Sequence, residues 1–248
     1  MKRVIARLDV KGSKLIKSVH LEGLRVLGEV APFAHEYFHN GADEIIFIDL
    51  VATLYGRNKL TEIVRSVAKD VFVPLTVGGG VRSLNDFREL LRAGADKVAV
   101  NTAAVRNPSL LTEAASVFGS QAVVSYIEYK NIEGKNFIFV ENGREKTTTL
   151  LEDWIPEVQA LGAGEILLTS IDCEGTEKGF DVDTLSKLCD IVNVPLTLSG
   201  GFGALNDIDK AAFFFDAVAV ASCLHYKKTK IQDIRDHLKS LEFDVREL

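Results

Sequence analysis

The chain has 248 residues, of which 47% are hydrophobic and 26% charged, a composition typical of a globular protein with one large core. The 35 acidic side chains outnumber the 29 basic ones and give a net charge of −6, which argues against general nucleic-acid binding because that function needs a basic surface. Cys173, Cys189 and Cys223 are scattered without a CxxC pair, so we expect reduced thiols and neither a disulfide framework nor a zinc site.

The N-terminal segment MKRVIARLDVKG has no long apolar stretch ahead of its first charges, and no apolar run is long enough to span a membrane. These features predict a cytoplasmic protein that binds neither membranes nor nucleic acid. His35 and His39 have an i, i+4 spacing that suits a metal, but they lie in an amphipathic segment, so an exposed helix face is the favoured interpretation. No metal or cofactor is predicted.

Short apolar runs alternate with longer amphipathic segments along the whole chain. In the first half the pattern predicts strands at 4–9, 44–50, 73–78 and 97–101 and helices near 30–40, 59–69, 84–94 and 108–117. In the second half it predicts strands at 122–128, 165–170, 194–199 and 217–221 and helices near 151–161, 181–190, 206–213 and 230–240. Continuous apolar strands between amphipathic helices indicate a parallel sheet with helices on its faces.

The two halves of the chain repeat each other. The segment VPLTVGGGVRSLND at 73–86 recurs as VPLTLSGGFGALND at 194–207, and GADEIIF at 41–47 recurs as GAGEILL at 162–168. Strand–helix units built as four plus four predict a single closed (β/α)8 TIM barrel over 1–248, made of half-barrels at about 1–120 and 121–248, with 131–149 as a hairpin-like insertion. A doubly wound open sheet is the alternative, but that fold gives no reason for a two-fold repeat.

Polar and glycine residues cluster where the predicted strands end, and this end of a barrel carries the active site. VGGGVR and NTAA follow strands 3 and 4, and SGGFG and ASCLH follow strands 7 and 8 at equivalent points. Glycines let backbone amides approach a phosphate closely, and Thr102 and Ser222 each add a hydroxyl donor. Two matched anion sites predict a ligand with a phosphate at each end, and tight turns without a ligand are the alternative.

Asp9 and Glu128 occupy equivalent positions of the repeat, at the ends of predicted strands 1 and 5. These strands face each other across the barrel, so the middle of a ligand held at both anion sites would lie over the two carboxyl groups. Paired acids beside a reacting centre suit general acid–base catalysis. The alternative is that both are ordinary strand-end acids bonded to Lys11, Lys130 or loop amides.

The segments LDVKG, TVGGGVRS, GADKVAVNTAAVRNPSL, FGSQAVV and GAGEILLTSIDCEGTEKGFD closely resemble the cyclase subunits of imidazole glycerol phosphate synthase, and the resemblance covers essentially the whole chain. It implies the barrel fold already predicted. It also implies an activity, in which ammonia from a glutaminase partner is added to an open-chain phosphoribulosyl aminoimidazole carboxamide nucleotide. Cleavage and ring closure then give imidazole glycerol phosphate and aminoimidazole carboxamide ribotide. That substrate is bisphosphorylated.

Carried over by position, the resemblance implies roles for individual residues. Asp9 and Glu128 would be the catalytic acids, and Lys17, in the long loop after strand 1, would be a mobile lysine that closes over the substrate. The residues implied in substrate and phosphate binding are Gly80, Asn101 and Thr102 on one side and Glu174, Gly175, Gly201 and Ser222 on the other.

Four charged residues near the starts of strands 1, 2, 4 and 6 match the ring around the ammonia opening in this family: Arg3, Glu44, Lys97 and Glu165. All four are expected to point to the N-terminal face of the barrel, where buried charges need partners. An ammonia gate is the implied role, and a salt-bridge plug that only closes the barrel is the alternative. Because the predicted barrel uses the whole chain, a separate glutaminase subunit is expected to dock at this face.

The chain departs from the family pattern at several positions. Glu128 and Glu174 stand where the family has Asp, Arg7 replaces a small residue, and the segment at 18–28 differs from the usual loop. These departures leave other functions open: ammonia delivery for amidination of a sugar in surface-glycan assembly, a non-enzymatic scaffold for the glutaminase, and the sister isomerase that acts on the preceding intermediate. The four ring charges argue against the isomerase, which needs no ammonia.

Overall fold

The computed structural model describes residues 1–52 and 60–247, which form twelve strands and ten α-helices. The strands are β1 (Arg3–Lys11), β2 (Lys14–Val19), β3 (Glu22–Glu29), β4 (Glu44–Asp49), β5 (Leu75–Gly78), β6 (Lys97–Val100), β7 (Val123–Ile132), β8 (Lys135–Val140), β9 (Glu145–Leu150), β10 (Glu165–Ser170), β11 (Leu196–Ser199) and β12 (Ala217–Val220). The helices are α1 (Val30–His39), α2 (Leu60–Val67), α3 (Leu84–Ala93), α4 (Thr102–Arg106), α5 (Ser109–Phe118), α6 (Leu151–Ala160), α7 (Val182–Leu188), α8 (Ile208–Ala211), α9 (Ser222–His225) and α10 (Ile231–Ser240). Within the described stretches, no helix has both the length and the apolar character needed to cross a membrane.

Eight of the described strands close into a parallel barrel. Their order around the barrel is β1, β4, β5, β6, β7, β10, β11 and β12, and the circle is completed where β12 pairs with β1. The pairing of β7 with β10 places Glu128 opposite Thr169. This closed order confirms the predicted (β/α)8 barrel and excludes the open doubly wound sheet.

Side chains of β1 alternate between the two faces of the barrel wall. Val4, Ala6 and Leu8 are buried in the layer between the barrel and the helices, where each fully buried Val or Leu contributes about 1.5–3 kcal/mol. Ile5 packs inside the barrel with apolar side chains of several other strands. The same alternation puts Arg7 on the inner face, where its charge must find partners from other strands.

Two barrel strands extend beyond the barrel because antiparallel partners continue their hydrogen-bond ladders. β1 runs to Lys11 and pairs with β2, and β7 runs to Ile132 and pairs with β8. Asp9 and Glu128 therefore lie within their strands and not at strand ends as predicted. The predicted hairpin-like insertion at 131–149 is confirmed by the pairing of β8 with β9.

The segment after β1 is a second hairpin, formed by β2 and β3, where the sequence predicts a long loop. Lys17 lies on β2, so its predicted place in a loop is wrong. The predicted helix at 206–213 is also shorter than expected, because a 3₁₀ turn at Leu205–Asp207 precedes α8. Residue 59, the first of the helix predicted at 59–69, lies outside the described residues.

Candidate active site

Two buried carboxyl groups, those of Asp9 and Glu128, are linked inside the barrel by other side chains. Arg7 donates from Nε to Asp9 Oδ1 at 2.9 Å and from Nη2 to the Tyr126 hydroxyl oxygen at 3.1 Å. The Tyr126 hydroxyl in turn donates to Glu128 Oε1 at 2.8 Å. The structure therefore brings together the two acids that the sequence predicts, and places Arg7 and Tyr126 between them.

Arg7 spans the interior of the barrel and is fully buried. From Nη1 it also donates to Thr169 Oγ1 and Ser199 Oγ, each at 2.9 Å. Burial opposes its positive charge, but Asp9, Tyr126 and Glu174 together outweigh this and hold the pKa of Arg7 well above its usual value. In the sequence, Arg7 stands out only because it replaces a small residue of the family pattern. Its spacing of two from Asp9, which puts both on one strand face, is the signal that predicts their contact.

Glu128 is held by uncharged donors. Besides Tyr126, the side-chain amide of Asn101 and the backbone N–H of Gly143 donate to Oε2, each at 3.0 Å. Burial raises the pKa of Glu128 to about 7, although the Tyr126 hydroxyl, the charge of Arg7 and the Gly143 N–H act in the opposite direction. At neutral pH this carboxyl group is therefore present in both protonation states.

Asp9 keeps one carboxylate oxygen free of hydrogen bonds. Among the described residues, Oδ2 is buried and has no hydrogen-bond partner, and Lys17 Nζ lies 3.8 Å away. An unsatisfied buried oxygen is costly, so a ligand or a proton is its natural partner. Lys11 and Lys130 are exposed. The alternative in which these lysines pair with the acids is therefore wrong, whereas its loop-amide part holds for Glu128, which accepts from the Gly143 N–H.

The first cradle, formed by Gly80, Asn101 and Thr102, opens on a cavity of about 360 Å³ that Glu128 also lines. Gly80 has φ +71°, and a Cβ there would lie 2.7 Å from Ala52 Cβ, so only glycine fits without movement. The cavity is also lined by charged side chains of both signs: Asp49, Arg82, Arg106 and Glu141. These three predicted residues are thus brought together beside one of the catalytic candidates.

The second cradle consists of Glu174, Gly175, Gly201 and Ser222, and its cavity of about 20 Å³ is much smaller. The side chain of Lys17 fills this side and forms a buried ion pair with Glu174. Burial opposes both charges, but their mutual attraction together with Asp9 near Lys17 and Arg7 near Glu174 outweighs it, so the pKa of Lys17 is raised and that of Glu174 is lowered. The repeat predicts two equivalent anion sites, and the structure shows one open cradle and one occupied by an ion pair.

The turn of the β8–β9 hairpin covers the first cradle and was not predicted to contribute to the site. Glu141 and Asn142 line the cavity, and the backbone N–H of Glu141 donates to Thr102 Oγ1 at 3.0 Å. Arg106 Nη1 lies 2.8 Å from Glu141 Oε1. The residues ENG at 141–143 all have positive φ, a conformation that Asn-Gly sequences favour in tight hairpin turns. That sequence is the signal for a tight turn at this place.

A charge ring of Arg3, Glu44, Lys97 and Glu165 closes the opposite, N-terminal end of the barrel. Arg3 donates to Glu44 Oε2 at 2.8 Å and to Glu165 Oε1 at 2.7 Å. Lys97 donates to the same two carboxylates at 2.8 and 2.6 Å. Burial tends to raise the pKa of Glu165, but Lys97 and Arg3 lower it more, so it lies below its usual value. The four predicted residues are therefore brought together in one alternating ring.

Comparison with known proteins assigns the chain to a family. The profile of the family described as histidine biosynthesis protein matches residues 3–230. The imidazole glycerol phosphate synthase subunit HisF of Legionella pneumophila is 53% identical over 84% of this chain and 98% of that relative. Subunits of the same name from Wolinella succinogenes and Methanopyrus kandleri are 45% and 42% identical, over 99% of this chain and 98% of each relative. The chain belongs to the histidine biosynthesis protein family.

The matches confirm the resemblance recognised in the sequence. Both acids, both cradles and the charge ring of this histidine biosynthesis protein lie inside the matched span 3–230. This chain spans nearly the full length of each of these relatives, and each relative is named as a subunit of imidazole glycerol phosphate synthase.

Proposed function

We propose that this chain is the cyclase subunit of imidazole glycerol phosphate synthase. Its substrate would be the open-chain phosphoribulosyl aminoimidazole carboxamide nucleotide, and its products imidazole glycerol phosphate and aminoimidazole carboxamide ribotide. The observation that carries the proposal is the buried pair Asp9 and Glu128, which is flanked by two glycine-lined cradles at one end of a barrel. The names of the relatives support it.

The chemistry needs groups that move protons. Addition of ammonia to a carbonyl carbon forms a C–N bond and releases water, so protons must leave the nitrogen and reach the departing oxygen. Carboxyl groups placed over the reacting carbon perform both transfers. Asp9 Oδ2 is free to accept a hydrogen bond, and Glu128 titrates near neutral pH. Both acids thus suit the sequence of addition, cleavage and ring closure.

The two phosphates of the substrate would lie in the two cradles. Backbone amides beside Gly80 and Gly201 and the hydroxyls of Thr102 and Ser222 are the donors that suit phosphate oxygens. The first cavity, at about 360 Å³, has room for such a group. In the second cradle Lys17 would move from Glu174 toward the incoming phosphate. The ammonium group of Lys17 would then exchange one ion pair for another.

Ammonia would come from a glutaminase subunit that docks at the N-terminal face of the barrel. The charge ring supports this proposal because it is alternating, closed and partly accessible, with Arg3 22% and Lys97 16% exposed. Opening one ion pair of the ring would admit a small polar molecule to the barrel interior. The acids at the other end of the interior would then receive it.

Turnover of the nucleotide with ammonium salt at alkaline pH tests the proposal, and loss of the nucleotide's absorbance follows the reaction. We expect the wild-type protein to be active and Asp9→Asn to lose about 10²-fold or more, since general acid–base catalysis typically contributes that much. A well-folded wild-type protein without turnover would contradict the proposal. Full activity of the holoenzyme with both Asp9→Asn and Glu128→Gln would favour a non-enzymatic scaffold.

Ammonia delivery for the amidination of a sugar is the second candidate function. The observation that favours it is the second cradle, where only about 20 Å³ remains beside the Lys17–Glu174 ion pair. A chain with this function would bind the bisphosphorylated nucleotide weakly, and titration calorimetry measures that affinity directly. Tight binding of the nucleotide would reject the sugar alternative.

A further inference from the structure

The two acids of the site have unlike partners. Arg7 contacts Asp9 directly, with Nε 2.9 Å from Oδ1, but reaches Glu128 only through the hydroxyl of Tyr126. One carboxyl group is therefore paired with a permanent cation and the other with a neutral phenol. Pairs of acids whose surroundings differ in this way divide the roles of base and acid between them.

We propose that Arg7 is a positioning residue that sets the roles of the two acids. It keeps Asp9 as the carboxylate that accepts protons, and leaves Glu128 as the carboxyl group that donates them. The inference rests on the proposed acid–base function of the pair, and it adds a residue that acts through the acids without contacting the reacting atoms.

The contacts of Arg7 hold its guanidinium group in one orientation. Nη1 donates to Thr169 and Ser199 at 2.9 Å each, so the side chain is bonded to β10 and β11 as well as to Tyr126 on β7. A guanidinium group has five N–H donors in a rigid plane, and it cannot turn toward one partner without leaving another. Turning toward Glu128 would leave Asp9 with Lys17 as its remaining counter-charge, 3.8 Å from Oδ2 and already paired with Glu174. A weakly paired buried carboxylate is unfavourable.

Tyr126 keeps the guanidinium group away from Glu128. Burial holds the pKa of Tyr126 well above its usual value, so the hydroxyl keeps its proton. It accepts from Arg7 Nη2 and donates to Glu128 Oε1, and the guanidinium carbon of Arg7 lies 5.5 Å from the centre of the ring. A neutral group thus stands where a second ion pair would otherwise form.

The other groups around Glu128 do not replace Arg7 as its counter-charge. Asn101 and the Gly143 amide donate to it without carrying charge. Among the described residues, the charged groups on the neighbouring elements are three acids and two arginines. The acids are Asp9 on β1, Asp49 on β4 and Glu141 in the hairpin turn, and the arginines are Arg82 after β5 and Arg106 on α4. Arg7 is therefore the cation on which the difference between the two acids depends.

Infrared titration of the unliganded protein tests the proposal, because a protonated carboxyl group has its own C=O band. In the wild type we expect a band that titrates near pH 7 and is absent from Glu128→Gln. In Arg7→Met we expect the Glu128 midpoint to rise by about 1 pH unit or more. We also expect the carboxylate band of Asp9, identified by adding Asp9→Asn, to shift in frequency because its ion pair with Arg7 is lost. If either the Glu128 midpoint or the Asp9 carboxylate band is unchanged, the proposal is overturned.

Tyr126→Phe is a milder variant that removes one hydroxyl and leaves the ion pair of Arg7 with Asp9. Here the Glu128 midpoint should rise while the Asp9 carboxylate band stays unchanged, and an unmoved midpoint would overturn the link even if Arg7→Met fails to fold. Arg7→Lys should bring the Asp9 carboxylate band back toward its wild-type frequency. The titration needs no substrate, so an inactive wild type would count against the cyclase and leave this test intact.

Discussion

The backbone N–H of Gly143 donates to Glu128 Oε2 at 3.0 Å, so a hairpin turn outside the barrel holds a carboxyl group of the barrel wall. Tyr126 and Asn101 bind the same carboxyl group from β7 and from the end of β6. Three donors from three places fix both oxygens. The surroundings of Glu128 are therefore fitted to a glutamate, one methylene longer than the aspartate of the family pattern.

Shortening this side chain should reduce activity. In Glu128→Asp the carboxyl group withdraws by about one bond length and loses at least one of its three donors. A misplacement of about 1 Å can cost about 10²-fold in rate, so we expect kcat/KM with ammonium salt to fall by roughly that factor. Glu145→Asp, on the exposed edge of the same hairpin, is the matched control and should be unchanged. Activity equal to or above wild type would show that the donors adapt to the shorter acid.

The raised pKa of Glu128 makes stability depend on pH. The free side chain titrates near 4.5 and the folded one near 7, so between these values the folded protein holds one proton more than the unfolded chain. Rising pH therefore lowers stability in this window, by about 2–3 kcal/mol between pH 5 and pH 8. Urea unfolding should show the wild type losing this amount relative to Glu128→Gln. A difference between the two proteins that is equal at both pH values would contradict the shift.

The barrel was predictable because its signals are local and repeated. Strands with apolar centres such as β4 and β10, which are buried along their whole length, alternate with amphipathic helices in both halves. The hairpin of β2 and β3 was not predicted, because β3 is mostly exposed and has no clear alternation of apolar and polar residues. A run of apolar residues predicts a buried strand, but an exposed strand that covers the barrel mouth has no such run.

The site was predictable where the repeat marks it and not where distant residues meet. Asp9 and Glu128 stand at equivalent points of the two halves, and so do Gly80 and Gly201. The partners of Arg7 other than Asp9, by contrast, come from strands 119 to 192 positions away, and no local pattern encodes those contacts. The same holds for Lys17, whose partner Glu174 is 157 positions away and makes the second cradle unlike the first.

A methyl group at Gly201 should damage the second cradle. A Cβ there would lie 2.1 Å from the carbonyl oxygen of Gly179, at a φ of +108°. Gly134→Ala is the matched control, since Gly134 has φ +81° and open space around its missing Cβ. We expect the control to lose about 1 kcal/mol from backbone strain alone, and Gly201→Ala to lose clearly more. Urea unfolding measures the free energy of unfolding of both variants. Equal losses would show that the second cradle accommodates the added methyl group without further destabilisation.

Removing one charge from the ring should destabilise the N-terminal end of the barrel. Glu44 is 2% exposed and binds both Arg3 and Lys97, and Thr76 donates to it as well. Glu44→Gln keeps the shape but leaves two cations to share Glu165, so we expect a loss of about 3 kcal/mol in the free energy of unfolding, in the range for broken buried pairs. Glu145→Gln, whose ion pair with Arg106 is exposed, should change it by less than about 0.5 kcal/mol.

The same variant separates a gate from a plug. A ring that only closes the barrel would lose stability, and turnover driven by external ammonium salt and by glutamine with the partner subunit would change by one common factor. A ring that admits ammonia would instead alter glutamine-driven turnover more than ammonium-driven turnover, because only the first route passes through it. Measuring both rates on Glu44→Gln below its unfolding transition decides between the two. Equal factors would reject the gate, since all four charges would then serve only to hold the strands together.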